Sequence, residues 1–148
     1  MIDVQVEALV ESARRWRDTA RDAVRATLEA CGVEVAEISL TLLDDGAIRA
    51  LNRDHLEHDW ATDVLSFALY GEDEPILGDV YVGVEQAARQ AAEVGVPLAE
   101  EIARLAVHGT LHVLGFDHPE GPGERAASEM YRVQEEIVRG LAIREGSA

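Results

Sequence analysis

The stretch "HGTLHVLGFDH", His108 to His118, places three of the chain's five histidines within eleven residues. If they are to meet, the local fold is narrowly constrained. On a helix turning every ~3.6 residues, His108 and His112 lie about 40° apart around the axis and about 6 Å apart along it, so both rings reach one point. Gly115 can take the left-handed conformation that ends a helix, and the reversed chain then returns His118 toward the pair. Three imidazoles leaving one position open for water suit a catalytic zinc ion better than a closed structural site. One Zn2+ ion is the expectation, although imidazole also suits nickel, copper and iron. The competing reading is two histidines in ordinary polar contacts and a third in a loop.

A zinc peptidase of the HExxH kind carries a glutamate base after the first histidine, where this chain has Gly109. Bound zinc lowers the pKa of its water from ~15.7 to about 7, so a hydroxide need not await a protein base. What is lost is the proton shuttle to a leaving amine, which phosphodiester cleavage needs less than peptide cleavage does. These residues point to a metal hydrolase without choosing its substrate.

At 148 residues, 47% hydrophobic and 28% charged, the chain suits one domain spanning residues 1–148. No apolar run approaches the roughly 18 residues of a membrane span, and the first residues lack the pattern of a signal peptide. A cytoplasmic location without membrane contact is expected. Cys31 is the single cysteine and is expected to pack as a small apolar group. The net charge of −16, from 29 acidic residues against 13 arginines and no lysine, argues against indiscriminate nucleic-acid binding but leaves room for a local basic surface.

Periodicity predicts a strand at "IDVQV", then one long helix through Leu9, Ala13, Trp16, Ala20, Val24 and Leu28 that stops at Gly32. "AEISLTLLDD" alternates as a half-buried strand, and Asp44 or Asp45 caps a short helix through Ile48 and Leu51. "DVLSFALY" and "GDVYVGV" read as two strands joined by a turn. Three helices follow: about Glu85 to Val94, from near Pro97 to Gly115, and about Glu124 to Leu141. The last is expected to bury Ala127, Met130, Val133, Ile137 and Leu141.

"HGTLHVLGFDH" together with "TDVLSF" (Thr62 to Phe67), "LGD" (Leu77 to Asp79) and the pair Leu51 and Asn52 resembles the YbeY family of bacterial metal-dependent endoribonucleases. The resemblance implies an α+β fold, with a small mixed β-sheet of about four strands covered by helices and a metal site at the end of a helix. It implies His108, His112 and His118 as zinc ligands, with zinc-bound water or hydroxide at the reaction centre. The implied activity is single-strand-specific cleavage in late 16S ribosomal RNA 3′ end maturation and ribosome quality control. Implied partners are ribosomal RNA, the small ribosomal subunit and a ribosomal or assembly-factor protein. Alternatives are a zinc hydrolase of another substrate class and a non-catalytic assembly factor.

The family usually carries an arginine and a proline before "TDVLSF", where this chain has Leu56 and Ala61. Arg53, one helical turn earlier, is the candidate replacement cation; the plainer alternative is an exposed helix arginine. Asp63 and Asp79 border predicted strands and are candidates to orient a histidine or relay a proton, or else simply cap turns. The expected catalytic set is His108, His112, Asp79 and Arg53. Ser66 is a candidate phosphate contact, and His55 with His58 reads as an ordinary surface pair. Arg14, Arg17, Arg21 and Arg25 form a stripe that either tracks phosphates or is an ion-paired solvent face laced with Glu11, Asp18 and Asp22.

Overall fold

The computed structural model describes residues 1–116 and 123–143, with side chains described for 1–116 and 129–143. Its elements are β1 (Ile2–Ala8), a 3-10 turn (Glu11–Trp16), α1 (Arg17–Ala30), β2 (Ala36–Leu43), α2 (Asp45–Leu56), β3 (Val64–Ala68), β4 (Ile76–Gly83), α3 (Val84–Val94), α4 (Leu98–Val113) and α5 (Gly123–Gly140). The sheet order is β1-β2-β4-β3. β1 and β4 both run parallel to β2, while β3 returns antiparallel to β4 and forms an edge. The α+β fold expected from the sequence, a four-stranded mixed sheet covered by helices, is the fold observed.

Two helix boundaries differ from the periodic pattern. The long first helix begins at Arg17 rather than near Leu9, and residues 11–16 wind as a 3-10 turn. Sheet pairing takes precedence there: the Leu9 amide donates to Leu42 O at 2.9 Å, which continues the β1–β2 ladder and leaves the Leu9 side chain 60% exposed. Conversely, α2 continues past Leu51 to Leu56, so Arg53 lies within a helix. Asp44 is its cap, its Oδ1 accepting from the Ala47 amide at 2.9 Å.

Strand alternation divides the core. Ile38, Leu40 and Leu42 of β2 and Val80 and Val82 of β4 point toward α1 and α4, where they are fully buried with Val24, Leu28, Ile102 and Leu111. The intervening residues face the other way. On that second face Leu43 and Leu65 pack against Ile48 of α2. Cys31 is half-buried against the main core, and burial pushes its thiol pKa up, as for a packed apolar group.

α4 approaches the sheet very closely. A Cβ added at Gly109 would stand 2.6 Å from Val80 Cγ1, 3.0 Å from Ser66 Oγ and 3.1 Å from Val64 Cγ2. From the strand side, a Cβ at Gly78 would stand 2.5 Å from Val113 Cγ1. The two glycines mark where helix and sheet backbones come together, and two side chains of the β3 region bond the helix there. Ser66 Oγ donates to Gly109 O at 2.9 Å and the Tyr70 hydroxyl to Val113 O at 2.7 Å. The second bond satisfies one of the last-turn carbonyls that a helix leaves unpaired.

An ion cluster ties α4 to α5. Arg104 donates through Nε and Nη2 to the two Glu135 oxygens at 2.8 and 2.9 Å, and also to Glu101 at 3.0 Å and Glu100 at 3.2 Å. The fork geometry matches a carboxylate in two places at once. Arg104 holds the Glu135 carboxyl below its ordinary pKa, against the opposing effect of burial.

Two stability measurements check this packing. Gly109→Ala is expected to cost about 1–3 kcal/mol in denaturant unfolding, because Val80 is fully buried and has little room to give; unchanged stability would contradict the close approach. Arg104→Ala is expected to cost about 2–3 kcal/mol near neutral pH, less than a fully buried pair because the cluster is partly exposed. Glu135 has a depressed native pKa, so its pairing contributes fully above the ordinary carboxylate value and is lost as pH falls through the native one. The gap between wild type and Arg104→Ala should therefore narrow in acid.

Candidate metal centre and cleft

The last two turns of α4 carry His108 and His112, both half-buried. Their Nε2 atoms lie 2.9 Å apart, with ring centroids 4.5 Å apart and planes at 80°. Two nitrogen ligands of one tetrahedral zinc, each ~2.0–2.1 Å from it, would stand about 3.3 Å apart. The pair would need to open by only about 0.4 Å to share an ion, so this donor set fits a borderline metal on both chemistry and spacing.

α4 ends as the glycine pattern predicts. Gly115 has φ +102°, its amide meets His112 O at 3.0 Å, and the Phe116 amide meets Leu111 O at 3.0 Å. This Schellman arrangement reverses the chain immediately after the histidine pair. Phe116 then lines the same cleft as His108 and His112. His118, expected as the third ligand, lies outside the described residues. Among the described residues no group of three or more His, Cys, Asp or Glu side chains is gathered as a metal site.

The cleft, about 440 Å³, runs between the C-terminal half of α4 and β3, and Asp63, Val64, Ser66 and Ala68 form its strand side. Leu69 N bonds Leu77 O and Gly83 N bonds Asp63 O, so the odd-numbered residues of β3 direct their backbone groups at β4. Val64, Ser66 and Ala68 direct theirs outward along the cleft. Among the described residues no strand pairs with that edge. Ser66, singled out as a phosphate contact, commits its hydroxyl hydrogen to Gly109 O.

The two candidate carboxylates separate. Asp63 lines the cleft, where Oδ2 accepts from Gln90 Nε2 at 3.1 Å and Oδ1 from the Thr62 hydroxyl at 3.4 Å. Asp79 does not join the histidines. Its neighbours Gly78 and Val80 pack on α4, so the pleat turns Asp79 to the opposite face, level with Phe67 and near Tyr81. Burial, and then the Asp79 charge, push the Tyr81 phenol up, consistent with the two sharing a face.

Arg53 is not brought to the pair either. It sits on α2, across the sheet from α4, exposed and 3.2 Å from Asp54 through its Nε. Leu56 ends the same helix with its side chain 45% exposed. His55 and His58 contact Phe67 and Trp60 rather than each other. The segment from α2 to the cleft is held by Asn52, buried, whose Nδ2 donates to Trp60 O at 2.9 Å, and by the Arg49–Asp59 fork at 2.8 and 3.2 Å.

Sequence reasoning missed Gln134. Its Oε1 lies 2.7 Å from His108 Nδ1, and its Nε2 donates to Glu135 Oε2 at 3.1 Å. The available signal was its place on α5: four residues after Met130 and three before Ile137, it is a polar side chain on the buried stripe. That stripe is Met130, Gln134, Ile137 and Val138, with Val133 and Leu141 only partly buried.

Comparison with known proteins agrees with this geometry. Residues 2–142 match the family model described as Endoribonuclease YbeY. The Endoribonuclease YbeY of Moorella thermoacetica is 49% identical over 120 residues, covering 74% of this chain and 75% of the relative. That of Rhizorhabdus wittichii is 37% identical over 153 residues and covers 90% of each chain. A solution structure from Thermotoga maritima shares the fold with a TM-score of 0.65 at 23% identity, over 92% of this chain and 87% of that one. With its paired histidines at the end of α4 and a match running nearly from end to end, this chain belongs to the Endoribonuclease YbeY family.

Proposed function

We propose that the whole chain works as one metal-dependent endoribonuclease unit, with a zinc ion held by His108, His112 and His118. The observation that carries the reading is the pair of Nε2 atoms 2.9 Å apart in a cleft beside an edge strand, in a chain of this family. His118 is included on the motif's spacing and on the reversal at Gly115, which leads into Phe116 on the cleft wall. When bound, zinc would supply Lewis-acid polarisation of a phosphoryl oxygen and activation of water.

The chain's own groups account for substrate handling. The outward amides of Val64, Ser66 and Ala68 offer hydrogen-bond donors to an extended, single-stranded RNA backbone lying along β3. Among the described residues Asp63 is the carboxylate that lines the cleft and could take a proton, with Gln90 and Thr62 holding its orientation. A peptidase-type base has no place at residue 109, because a side chain there would enter the space of Val80. The proposed substrate is the 3′ end of 16S ribosomal RNA during late maturation and quality control. The proposed setting is the cytoplasm on the small ribosomal subunit, with a ribosomal or assembly-factor protein as partner. No described helix is long and apolar enough to cross a membrane.

The arginine stripe lies elsewhere. α1 packs on β1 and α4, at the side of the sheet remote from β3, and Arg21 is paired with Asp18 at 2.8 Å. Arg15 lies over the Trp16 ring at 4.9 Å. Approach of RNA to so acidic a protein therefore depends on charge local to the cleft and on the ribosomal context.

Purified protein should cut a defined single-stranded RNA bearing the 16S 3′ region. Chelation or His112→Ala should reduce the rate at least 100-fold, whereas Arg53→Ala should change it less than threefold. Cleavage that survives both chelation and His112→Ala would refute the metal reading. Replacing Arg14, Arg17, Arg21 and Arg25 together should leave the slope of log affinity against log salt within about one unit of wild type. A flatter slope would place the stripe on phosphates.

A further inference from the structure

Gln134 occupies a position where the helical pattern calls for an apolar side chain, and it is only 6% exposed. Both ends of its amide are engaged: Oε1 with His108 Nδ1 at 2.7 Å, and Nε2 with Glu135 Oε2 at 3.1 Å. Glu135 is held as a carboxylate by the Arg104 fork, and a carboxylate only accepts hydrogen bonds. The amide therefore cannot turn over. Reversed, it would set its own oxygen against the Glu135 oxygen with no proton between them. With the amide oxygen facing His108, an atom that can only accept meets Nδ1, so Nδ1 carries the imidazole proton. Nε2 of His108 then presents its lone pair toward His112.

We infer that Gln134 is a positioning residue that fixes the tautomer and ring orientation in which His108 offers Nε2 to a metal ion. The inference rests on the proposed metal reading and extends it through Gln134 to Glu135 and Arg104. Metal-binding histidines commonly donate their other ring N–H to an oxygen, and loss of that partner weakens metal binding by about 10–100-fold. Here the partner comes from a different helix, so the placing of α5 governs the chemistry of α4.

Two readouts other than activity test this. In nitrogen-15 NMR of the metal-free wild type, His108 should carry its proton on Nδ1; a proton on Nε2 overturns the inference and needs no variant. In competition with a chromophoric chelator, Gln134→Met, similar in size and lacking the acceptor, should bind Zn2+ about 10–100-fold more weakly while melting cooperatively. The same variant should lose the Nδ1 preference of His108 in the nitrogen-15 spectrum, which a mere packing role would leave in place. Wild-type affinity in Gln134→Met, or an unchanged His108 tautomer, would reduce Gln134 to a packing residue. A wild type that binds no zinc overturns the metal reading itself and leaves Gln134 no ion to serve. A wild type that binds zinc while Gln134→Met binds it equally well overturns the Gln134 inference alone.

Discussion

The contact on which the molecule depends is the close approach of α4 to the β3–β4 hairpin, where Gly109 on the helix and Gly78 on the strand let the two backbones come together. Side chains of ordinary size would hold a helix and a sheet roughly 10 Å apart. With the glycines in place, Ser66 can reach the Gly109 carbonyl and Tyr70 the Val113 carbonyl, locking the helix in rotation as well as in distance. Rotation matters because His108 and His112 stand about 40° apart on the helix, and a modest turn would carry one of them out of the cleft. Gly109 therefore has a positive structural role. It marks the contact that sets the height of the histidines over β3, and no catalytic glutamate could be housed there.

A second set of contacts reaches the same site from the other side. Arg104 joins α4 to α5 through Glu135, and Gln134 carries that link on to His108. Each group in the series has one sensible orientation given its neighbour: a guanidinium that only donates, a carboxylate that only accepts, and an amide that does one at each end. Directional information passes between helices through these contacts. Such preorganisation reduces the rearrangement that ion binding would otherwise require. The site is thus held by packing at the sheet and by polar geometry at α5, and the two act on adjacent residues of one helix.

Charge is arranged locally rather than globally. The net charge of −16 repels a polyanion, and the most obvious basic feature, the arginine stripe around α1, lies toward the β1 edge of the sheet, remote from β3, with Arg21 already paired to Asp18. What the cleft offers is directional: outward strand amides and paired imidazoles. That combination favours an extended strand presented in a particular pose over loose electrostatic capture, and it accords with a family whose relatives are named as endoribonucleases.

Much of this was legible in the residue pattern because it is local. The period-2 alternation of β2, the cap at Asp44, the stop at Gly115 and the shared face of His108 and His112 follow from backbone geometry over a few residues, and each appears as expected. The resemblance carried by "TDVLSF" and "HGTLHVLGFDH" identified the family and hence the fold. Non-local features were not legible. Which carboxylate reaches the cleft is one of them: the pleat of β4 turns Asp79 to the face opposite α4, while Asp63, just before β3 begins, lines the cleft and is bonded by Gln90 of α3. Arg53 was separated from the site by the sheet itself, since α2 packs on the face that α4 does not. The start of α1 was displaced because Leu9 is drawn into the ladder with Leu42. Gln134 became significant only when α5 docked on α4. The sequence by itself determined the order of elements, most of their ends and the spacing of two histidines along one helix, all set by torsions and neighbours within a turn. Only the tertiary structure decided which side chains from separate elements share the cleft, because that depends on which faces of helix and sheet meet.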